Sequence, residues 1–194
     1  MFTGLVEETA EVMEIAEAGE GKRIEVDAAG ILEDVATGGS VSVSGACLTL
    51  EEKDPSVFFL SEETLERTWF PELEEGDELN IERSLKPEDR MGGHVVQGHV
   101  EGTGEVLEVE ELDEGWNMEF SLPTELEKYV VEKGFITVDG VSLTVTEFTR
   151  KGFRVTVIPE TWEKTNLSAK QPGDGVNIET DVMARYAEKM VPNS

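Results

Sequence analysis

An internal duplication limits what this chain can fold into more than any other feature of its sequence. The stretch TGLVEETAEV at residues 3–12 recurs as QGHVEGTGEV at 97–106, and VSVSGACLTL at 41–50 recurs as ITVDGVSLTV at 136–145. Two further pairs follow in the same order, EETLERT with PETWEKT and GDELNIE with GDGVNIE. The separation is 94 residues from Gly4 to Gly98 and 97 residues from Gly76 to Gly173. Four ordered matches at nearly constant spacing predict two homologous halves.

Each half consists mainly of short strands, so the sequence predicts an all-β fold. GSVSVSG and GFITVDG are alternating runs rich in β-branched residues, and each ends at a tight-turn signal, Ser44-Gly45 or Asp139-Gly140. Several such strands separated by turns indicate one small closed barrel or sandwich per half. Short helices are predicted over GILEDVATG, ETLERTWF, PTELEKYVVEKG and TWEKTNL. The halves should divide near residues 83–93, which gives domains of 1–90 and 91–180.

The last segment, residues 181–194, predicts an amphipathic helix. Val182, Tyr186 and Met190 are spaced four residues apart and share a face with Met183 and Val191. Two interpretations stay open at this point. The helix packs this face on its own barrel, or it buries the face against other subunits.

The charge of the chain excludes some partners. There are 43 acidic and 16 basic residues, and the formal net charge is −27. Such a charge repels nucleic acid and anionic lipid. Because the acids are spread along the whole chain, they predict a hydrated surface of the halophilic kind, suited to concentrated salt, with an acidic protein of ordinary salt conditions as the alternative. The single cysteine, Cys47, and the lack of a signal peptide or long apolar run predict a cytoplasmic protein without a membrane span.

The candidate reactive residues are those at which the two halves differ. Cys47 and Thr49 are neighbours on one face of a predicted strand, and the second half has Ser142 and another threonine there. His99 replaces Leu5, so only one half carries an imidazole at that position. Each residue also has a structural interpretation, because lone cysteines are often buried and hydroxyls near turns often satisfy backbone groups. The paired placement favours function.

Other chemistries fit the sequence less well. His94 and His99 are five residues apart and would point to opposite faces of a strand, so no shared metal site is predicted. The glycines at 102–104 lack the third glycine of a dinucleotide-binding motif. Ser142, His99 and Asp139 could form a hydrolase triad, but the sequence around Ser142 is not that of a nucleophile elbow.

Eight blocks spread over almost the whole chain form a specific combination: MFTGLVEE, GGSVSVSGACLTL, EETLERT, LNIERSL, GGHVVQGHVEG, KGFITVDGVSLTV, IPETWEKTNL and VNIETD. In this combination the chain resembles the alpha-type riboflavin synthase family. The resemblance implies two six-stranded antiparallel Greek-key barrels in tandem, a C-terminal helix, and a homotrimer whose active sites form between barrels of neighbouring subunits. It also implies dismutation of two molecules of 6,7-dimethyl-8-ribityllumazine into riboflavin and 5-amino-6-(D-ribitylamino)uracil, with no metal or other cofactor.

The family's site residues carry over onto matching positions in both halves. For the first half, the resemblance implies a substrate pocket of Gly4, Leu5, Val6, Cys47, Leu48, Thr49, Phe59, Leu60, Ser61, Glu62, Glu63 and Thr64. For the second half, it implies Gly98, His99, Val100, Ser142, Leu143, Thr144, Ile158, Pro159, Glu160, Thr161, Trp162 and Glu163, with Lys133 contributed across the subunit interface.

The resemblance implies four catalytic residues. Three of them, Cys47, His99 and Ser142, belong to the pockets above, and the fourth is Phe2 near the N-terminus. In this hypothesis His99 moves a proton at the C7 methyl group of the lumazine. Cys47, Ser142 or a bound water adds to the acceptor lumazine, and Phe2 orders the N-terminus at the site. The rival hypothesis is a non-catalytic, antenna-type protein that binds a lumazine or flavin, which would lack part of this reactive set.

The chain departs from the family pattern in a few places. Ser44 stands where asparagine is common, Leu50 where valine is usual, Glu66 where arginine is usual and Trp162 where leucine is common. If residue 66 touches ligand, the change to Glu66 weakens contacts to the ribityl chain. Trp162 would reshape the pocket of the second half.

Overall fold

Twelve antiparallel strands form two closed barrels in the computed structural model, which describes residues 1–191. The first barrel contains β1 (Glu8–Ala18), β2 (Gly21–Val26), β3 (Ser40–Val43), β4 (Ala46–Glu52), β5 (Ser56–Leu60) and β6 (Glu78–Arg83). The second contains β7 (Gly102–Leu112), β8 (Gly115–Ser121), β9 (Phe135–Val138), β10 (Val141–Phe148), β11 (Gly152–Val157) and β12 (Gly175–Thr180). The predicted duplicated all-β fold is confirmed.

Both barrels have the same topology. The strand order is β1-β2-β5-β4-β3-β6 in the first and β7-β8-β11-β10-β9-β12 in the second. This order places β2 beside β5 after a β3-β4-β5 meander, which is a Greek key. Even the irregularities are duplicated, since β1 has a bulge between Val12 and Glu14 and β7 has one between Val106 and Glu108. A bulge bends and twists a strand, so these positions help the long strands wrap around their barrels.

Side chains alternate between the barrel interior and the outer surface. On β4, Leu48 is buried in the core, whereas Cys47 is half-buried and Thr49 is exposed. β10 repeats this alternation in the second barrel. Large apolar side chains such as Phe58 and Phe120 fill the two interiors. A ligand must therefore bind on the outside of a barrel and not inside it.

Two tight turns pack against each other where the barrels meet. Ser44-Gly45 joins β3 to β4, Asp139-Gly140 joins β9 to β10, and all four residues have positive φ, as a type I′ hairpin turn requires. A Cβ atom on Gly45 would lie 2.8 Å from the nitrogen of Gly140, and the reverse distance is also 2.8 Å. Glycine is thus required here by both the backbone conformation and the close approach. The two hairpin signals in the sequence are confirmed.

Matched side-chain amides tie the barrels together beside these turns. The Nδ2 atom of Asn80 donates to the carbonyl oxygen of Asp139 at 2.8 Å. Asn177, the equivalent residue in the repeat, donates from Nδ2 to the carbonyl oxygen of Ser44, also at 2.8 Å. Both asparagines are buried, so losing either amide would leave a buried carbonyl unpaired. The exchange of equivalent contacts relates the two barrels by an approximate two-fold axis.

One short helix follows β5 in the first barrel and another follows β11 in the second, both at places where helices are predicted. α1 (Glu62–Arg67) is capped by Ser61, whose hydroxyl oxygen accepts a hydrogen bond from the N–H of Thr64. α2 (Pro159–Lys164) begins with proline, which is favourable in the first helical turn.

Two other helix predictions are wrong in whole or in part. Residues 30–38 form turns, and residues 123–134 contain only the single 3-10 turn Glu127–Tyr129. Local propensity alone does not stabilise a short helix in water, so tertiary packing decides which of these segments become helical. Their apolar side chains, Leu32 and Leu126, are instead buried against the barrel cores.

The C-terminal helix α3 (Val182–Met190) leaves its apolar side chains exposed. Asp181 caps it, and exposure is 65% for Met183, 58% for Tyr186 and 78% for Met190. The interpretation in which this face packs on the chain's own barrel is therefore wrong for the described residues, and 192–194 of the predicted segment lie outside them. Within residues 1–191, no helix has the length and apolar character needed to cross a membrane.

Candidate functional site

Cys47 and Ser142 occupy equivalent positions on the outer faces of the two barrels. Each is half-buried, on β4 and β10 respectively, and each is followed two residues later by an exposed threonine, Thr49 or Thr144. Between them, Leu48 and Leu143 point into the barrel cores. The sequence therefore predicts correctly that a thiol and a hydroxyl share one geometric position. The side chains of Leu48 and Leu143 are on the opposite side of their strands.

Two segments cross between the barrels to cover these positions. The first crossing segment is residues 1–6, and the second crossing segment is residues 94–100. The N–H of Ser142 donates to the carbonyl oxygen of Gly4 at 2.8 Å, and the N–H of Cys47 donates to that of Gly98 at 2.7 Å. Each crossing segment thus covers the reactive position of the other half.

This arrangement corrects the grouping expected from the sequence. The sequence predicts each segment beside the reactive residue of its own half. Cys47 is expected beside Gly4, Leu5 and Val6. Ser142 is expected beside Gly98, His99 and Val100. In the structure Val6 packs against the core of the second barrel, and Val100 packs against the core of the first. The physical reason is the two-fold relation: exchanging two equivalent segments gives each barrel the same kind of contact, as in domain swapping.

The two crossing segments pair with each other on the approximate two-fold axis. The N–H of Phe2 donates to the carbonyl oxygen of Val96 at 2.8 Å, and the N–H of Val96 donates to that of Phe2 at 3.1 Å. Both side chains are fully buried. A Cβ atom on Gly98 would lie 3.0 Å from the ring of Phe2 and 2.6 Å from the Cβ of Cys47. Phe2 therefore supports the backbone that covers Cys47, from inside the protein.

Two buried carboxylates hold the crossing segments. Glu82 accepts hydrogen bonds from the N–H groups of Thr3 (2.7 Å) and Gly4 (3.0 Å). Glu179 accepts from the N–H groups of Gln97 (2.7 Å) and His99 (2.9 Å). These glutamates end the repeated blocks GDELNIE and GDGVNIE, so they are equivalent residues. Sequence reasoning missed them, although a glutamate repeated beside a buried strand position was a usable signal.

Burial dominates the electrostatics of both glutamates. Removal from water raises the pKa of Glu82, and the hydrogen bonds from Thr3 and Gly4 oppose this only in part. For Glu179, burial raises the pKa to about 7 against the opposing hydrogen bonds, and the nearby charge of Glu101 adds to the rise. Near neutral pH, Glu179 is therefore a mixture of its charged and neutral forms.

A cavity of 720 Å³ opens beside Cys47, and we call it the Cys47 site. Seven of the predicted substrate-binding residues line it: Cys47, Leu48, Glu63, Thr64, Gly98, His99 and Val100. The opposite wall comes from the second barrel and α3, through Lys128, Tyr129 and Arg185, none of which the sequence indicated. The expected residues Phe59, Leu60, Ser61 and Glu62, together with Thr49, are not among its lining residues.

The Ser142 site consists of Ser142, Gly4 and a buried histidine. The Nδ1 atom of His94 lies 2.7 Å from the Oγ atom of Ser142, and Phe135 stacks on the imidazole with the ring centroids 5.1 Å apart. Burial lowers the pKa of His94, which keeps the imidazole neutral near neutral pH. A neutral imidazole in this position can accept the hydroxyl proton and polarise Oγ.

This pairing removes the hydrolase-triad alternative. Ser142 contacts His94 and not His99, and Asp139 lies between the barrels, where it accepts a hydrogen bond from Trp69 Nε1 at 3.0 Å. The triad of Ser142, His99 and Asp139 is therefore not assembled. In residues 1–191, no group of three or more His, Cys, Asp or Glu side chains is arranged to hold a metal ion.

The other predicted residues of the second half lie around α2 and before β9. Ile158 is the exposed N-cap of α2, followed by Pro159, Glu160, Thr161 and Glu163 within the helix. Trp162 stacks on Trp116 with the ring centroids 4.3 Å apart. Lys133 is exposed, with a φ of 64°, and its N–H donates to the carbonyl oxygen of Val145.

Comparison with known proteins gives consistent matches for this architecture. Residues 3–84 and 97–181 each match the lumazine binding domain. Riboflavin synthase of Actinobacillus pleuropneumoniae is 37% identical over 193 residues, covering 98% of this chain and 90% of that protein. Riboflavin synthase of Mycobacterium tuberculosis is 39% identical over 198 residues, covering 98% of both chains. The solved structure of LumP complexed with riboflavin superposes with a TM-score of 0.85 at 25% identity, covering 93% of this chain and 99% of LumP.

Proposed function

Because this chain belongs to the riboflavin synthase family, we propose that one molecule of 6,7-dimethyl-8-ribityllumazine binds at the Cys47 site and a second at the Ser142 site. The chain is a transferase: it moves a four-carbon unit between the two lumazines and yields riboflavin and 5-amino-6-(D-ribitylamino)uracil. The observation that carries the site assignment is the pair of equivalent, outward-facing positions with unequal reactive groups. Two copies of one substrate need two similar sites, and their unequal roles as donor and acceptor need sites that differ.

Orientation supplies a large part of the rate enhancement in this proposal. Holding two reactants in a productive geometry turns a bimolecular step into an effectively unimolecular one. The anion formed at the C7 methyl group of the lumazine is delocalised into the ring, so a modest base suffices to form it. His99, exposed at the Cys47 site, moves that proton, since imidazole suits proton transfer near neutral pH. Cys47, or Ser142 polarised by His94, adds to the acceptor lumazine.

We further propose a homotrimer in which the Cys47 site of one subunit faces the Ser142 site of another, with Lys133 contributed across that interface. The apolar side chains of α3 support this, because Met183, Tyr186 and Met190 are exposed in the single chain. A second and third copy of α3 would bury them. In this assembly residues 1–90 and 91–180 are the lumazine-binding units, and 181–194 form the trimer contact. Sedimentation of the wild type as a trimer and of Tyr186→Glu as a monomer would support it, and a monomeric wild type would refute it.

The surface charge supports a cytoplasm of high ionic strength as the protein's environment. With 43 acidic and 16 basic residues, the chain has a formal net charge of −27. Dissolved salt must screen this charge to limit repulsion within the folded protein. Thermal stability should therefore rise between dilute buffer and molar potassium chloride. A protein equally stable in both would contradict this part of the proposal.

One assay tests the catalytic assignment. The purified protein, in molar salt and given only the lumazine, should produce riboflavin and the uracil in equal amounts. Tight binding without turnover would instead support the antenna-type alternative. His99→Gln should lose far more activity than His94→Gln, because His94 acts only through Ser142. Equal losses would contradict the proposed role of His99.

A further inference from the structure

Glu82 and Glu179 are two of the four acidic residues that are buried within residues 1–191, with 5% and 4% of their surface exposed. The other two, Asp139 and Glu119, each lie beside a cation, Lys170 or Arg154. The hydrogen bonds that the carboxylate oxygens of Glu82 and Glu179 accept all come from the two crossing segments. Neither forms a salt bridge with any cation in residues 1–191. Burying a carboxylate costs free energy unless hydrogen bonds compensate for the lost water. The hydrogen bonds that these two carboxylates accept are therefore an important part of their role in the fold.

The bonds connect each glutamate to a reactive residue on the other barrel. Glu179 on β12 of the second barrel binds the N–H groups of residues 97 and 99. Between these two amides lies Gly98, whose carbonyl oxygen accepts the N–H of Cys47 on the first barrel. Glu179 thus fixes, from both sides, the peptide that covers Cys47.

The other half repeats the connection in the opposite direction. Glu82 on β6 of the first barrel binds the N–H groups of Thr3 and Gly4, and it also accepts a hydrogen bond from the Thr3 hydroxyl at 2.8 Å. The carbonyl oxygen of Gly4 then accepts the N–H of Ser142 on the second barrel.

We propose that Glu82 and Glu179 are crossed positioning residues: each belongs to one barrel and fixes the backbone that covers the reactive side chain of the other barrel. Glu179 positions Gly98 and His99 at the Cys47 site, and Glu82 positions Gly4 at the Ser142 site. Whether this positioning serves catalysis rests on the proposed function. The positioning of the backbone by the two glutamates does not depend on it.

The chemistry of a carboxylate suits this task. Its two oxygens accept from two amides of one short segment at once, which fixes both the position and the direction of the peptide. A glutamine in its place keeps one accepting oxygen and presents an amide nitrogen to the second N–H. A methionine has a similar volume but no useful acceptor, so it leaves the buried amides unpaired.

The single cysteine of the chain allows a test that needs no turnover. The full-length protein and the variants Glu179→Met and Glu82→Met would be alkylated with iodoacetamide at about pH 8, where most Glu179 carboxyl groups are charged. Modification of Cys47 would be followed by mass spectrometry. Loss of one hydrogen bond to a charged group corresponds to about a tenfold change in the population of the open segment. Glu179→Met removes two such bonds, so we expect Cys47 to react at least about tenfold faster in this variant.

The matched control is Glu82→Met, which should change the rate much less although Glu82 and Cys47 share a barrel, because Glu82 reaches Cys47 only indirectly, through Phe2. In a protein carrying Cys47→Ser and Ser142→Cys, the pattern should reverse, so that Glu82→Met accelerates the reaction and Glu179→Met does so much less. Glu179→Gln, which keeps one acceptor, should give an intermediate rate. If a methionine variant fails to fold by circular dichroism, the glutamine variants carry the same comparison with the same expected sign.

The proposal would be overturned if Cys47 in Glu179→Met reacted within twofold of the wild-type rate or more slowly than the wild type. Equal changes in Glu179→Met and Glu82→Met would also overturn it. So would a pattern in which each substitution affects the cysteine of its own barrel. Because alkylation does not depend on lumazine chemistry, failure of the turnover assay leaves this result interpretable. A crossed pattern without riboflavin formation would refute the proposed function alone.

Discussion

Replacing Glu179 by glutamine should remove a pH dependence of folding stability that its burial creates. Burial raises the pKa of this carboxyl from an ordinary value of 4.5 to about 7, so the folded protein holds the proton more tightly than the unfolded chain. The stabilisation is fully present below pH 4.5 and is lost as the pH rises to about 7. A displacement of this size corresponds to about 3 kcal/mol. Because only 4% of the residue is exposed, solvent screening reduces this figure little.

The measurement is the free energy of unfolding in urea for wild type and Glu179→Gln, across the range from pH 4 to pH 8 in molar salt. Glutamine does not titrate, and all other ionisable groups are shared, so they cancel in the difference between the two proteins. The stability of the variant relative to the wild type should rise by about 3 kcal/mol as the pH increases. Glu82→Gln is the matched comparison and should give a change of the same sign, since burial also raises the pKa of Glu82. A difference that is independent of pH would refute the reasoning.

Two further substitutions test the packing. Gly45→Ala should destabilise the protein by at least about 2 kcal/mol in thermal unfolding, because the residue has positive φ and the new Cβ would lie 2.8 Å from the nitrogen of Gly140. Gly76→Ala is its control, with positive φ but no atom within 4 Å of the added Cβ, and an equal loss in both would contradict the contact between the turns. Trp162→Leu should cost about 1 kcal/mol and remove the near-ultraviolet circular dichroism of the indole pair, since Trp162 stacks on Trp116. An unchanged spectrum would show that the rings are not stacked in solution.

The fold was predictable from the sequence to a large extent because it depends on repeated local patterns. The duplication indicates that both halves share one topology, and Ser44-Gly45 and Asp139-Gly140 mark hairpins in both. Short helices were less predictable. In residues 30–38 and 123–134, anchoring of apolar side chains to a barrel outweighs weak helical propensity, and no local pattern reports that competition.

The candidate site was predictable only in part. The alternation along β4 and β10 correctly places Cys47 and Ser142 on equivalent outer faces. The contact between His94 and Ser142 was not predictable, because His94 has no partner in the repeat and reaches Ser142 from 48 residues away. Buried Glu179 was also missed: its repetition as Glu82 marks the position as special, but in so acidic a chain that repetition does not by itself indicate burial.

By itself, the sequence determined which residues are equivalent: Gly4 with Gly98, Leu5 with His99, and Cys47 with Ser142. It could not determine which copy of a segment covers which barrel, because two equivalent segments offer nearly the same backbone contacts to either. The tertiary structure decides this through the pairing of Phe2 with Val96 on the two-fold axis, which directs each segment across to the other barrel. The imidazole of the second half therefore lies beside the thiol of the first.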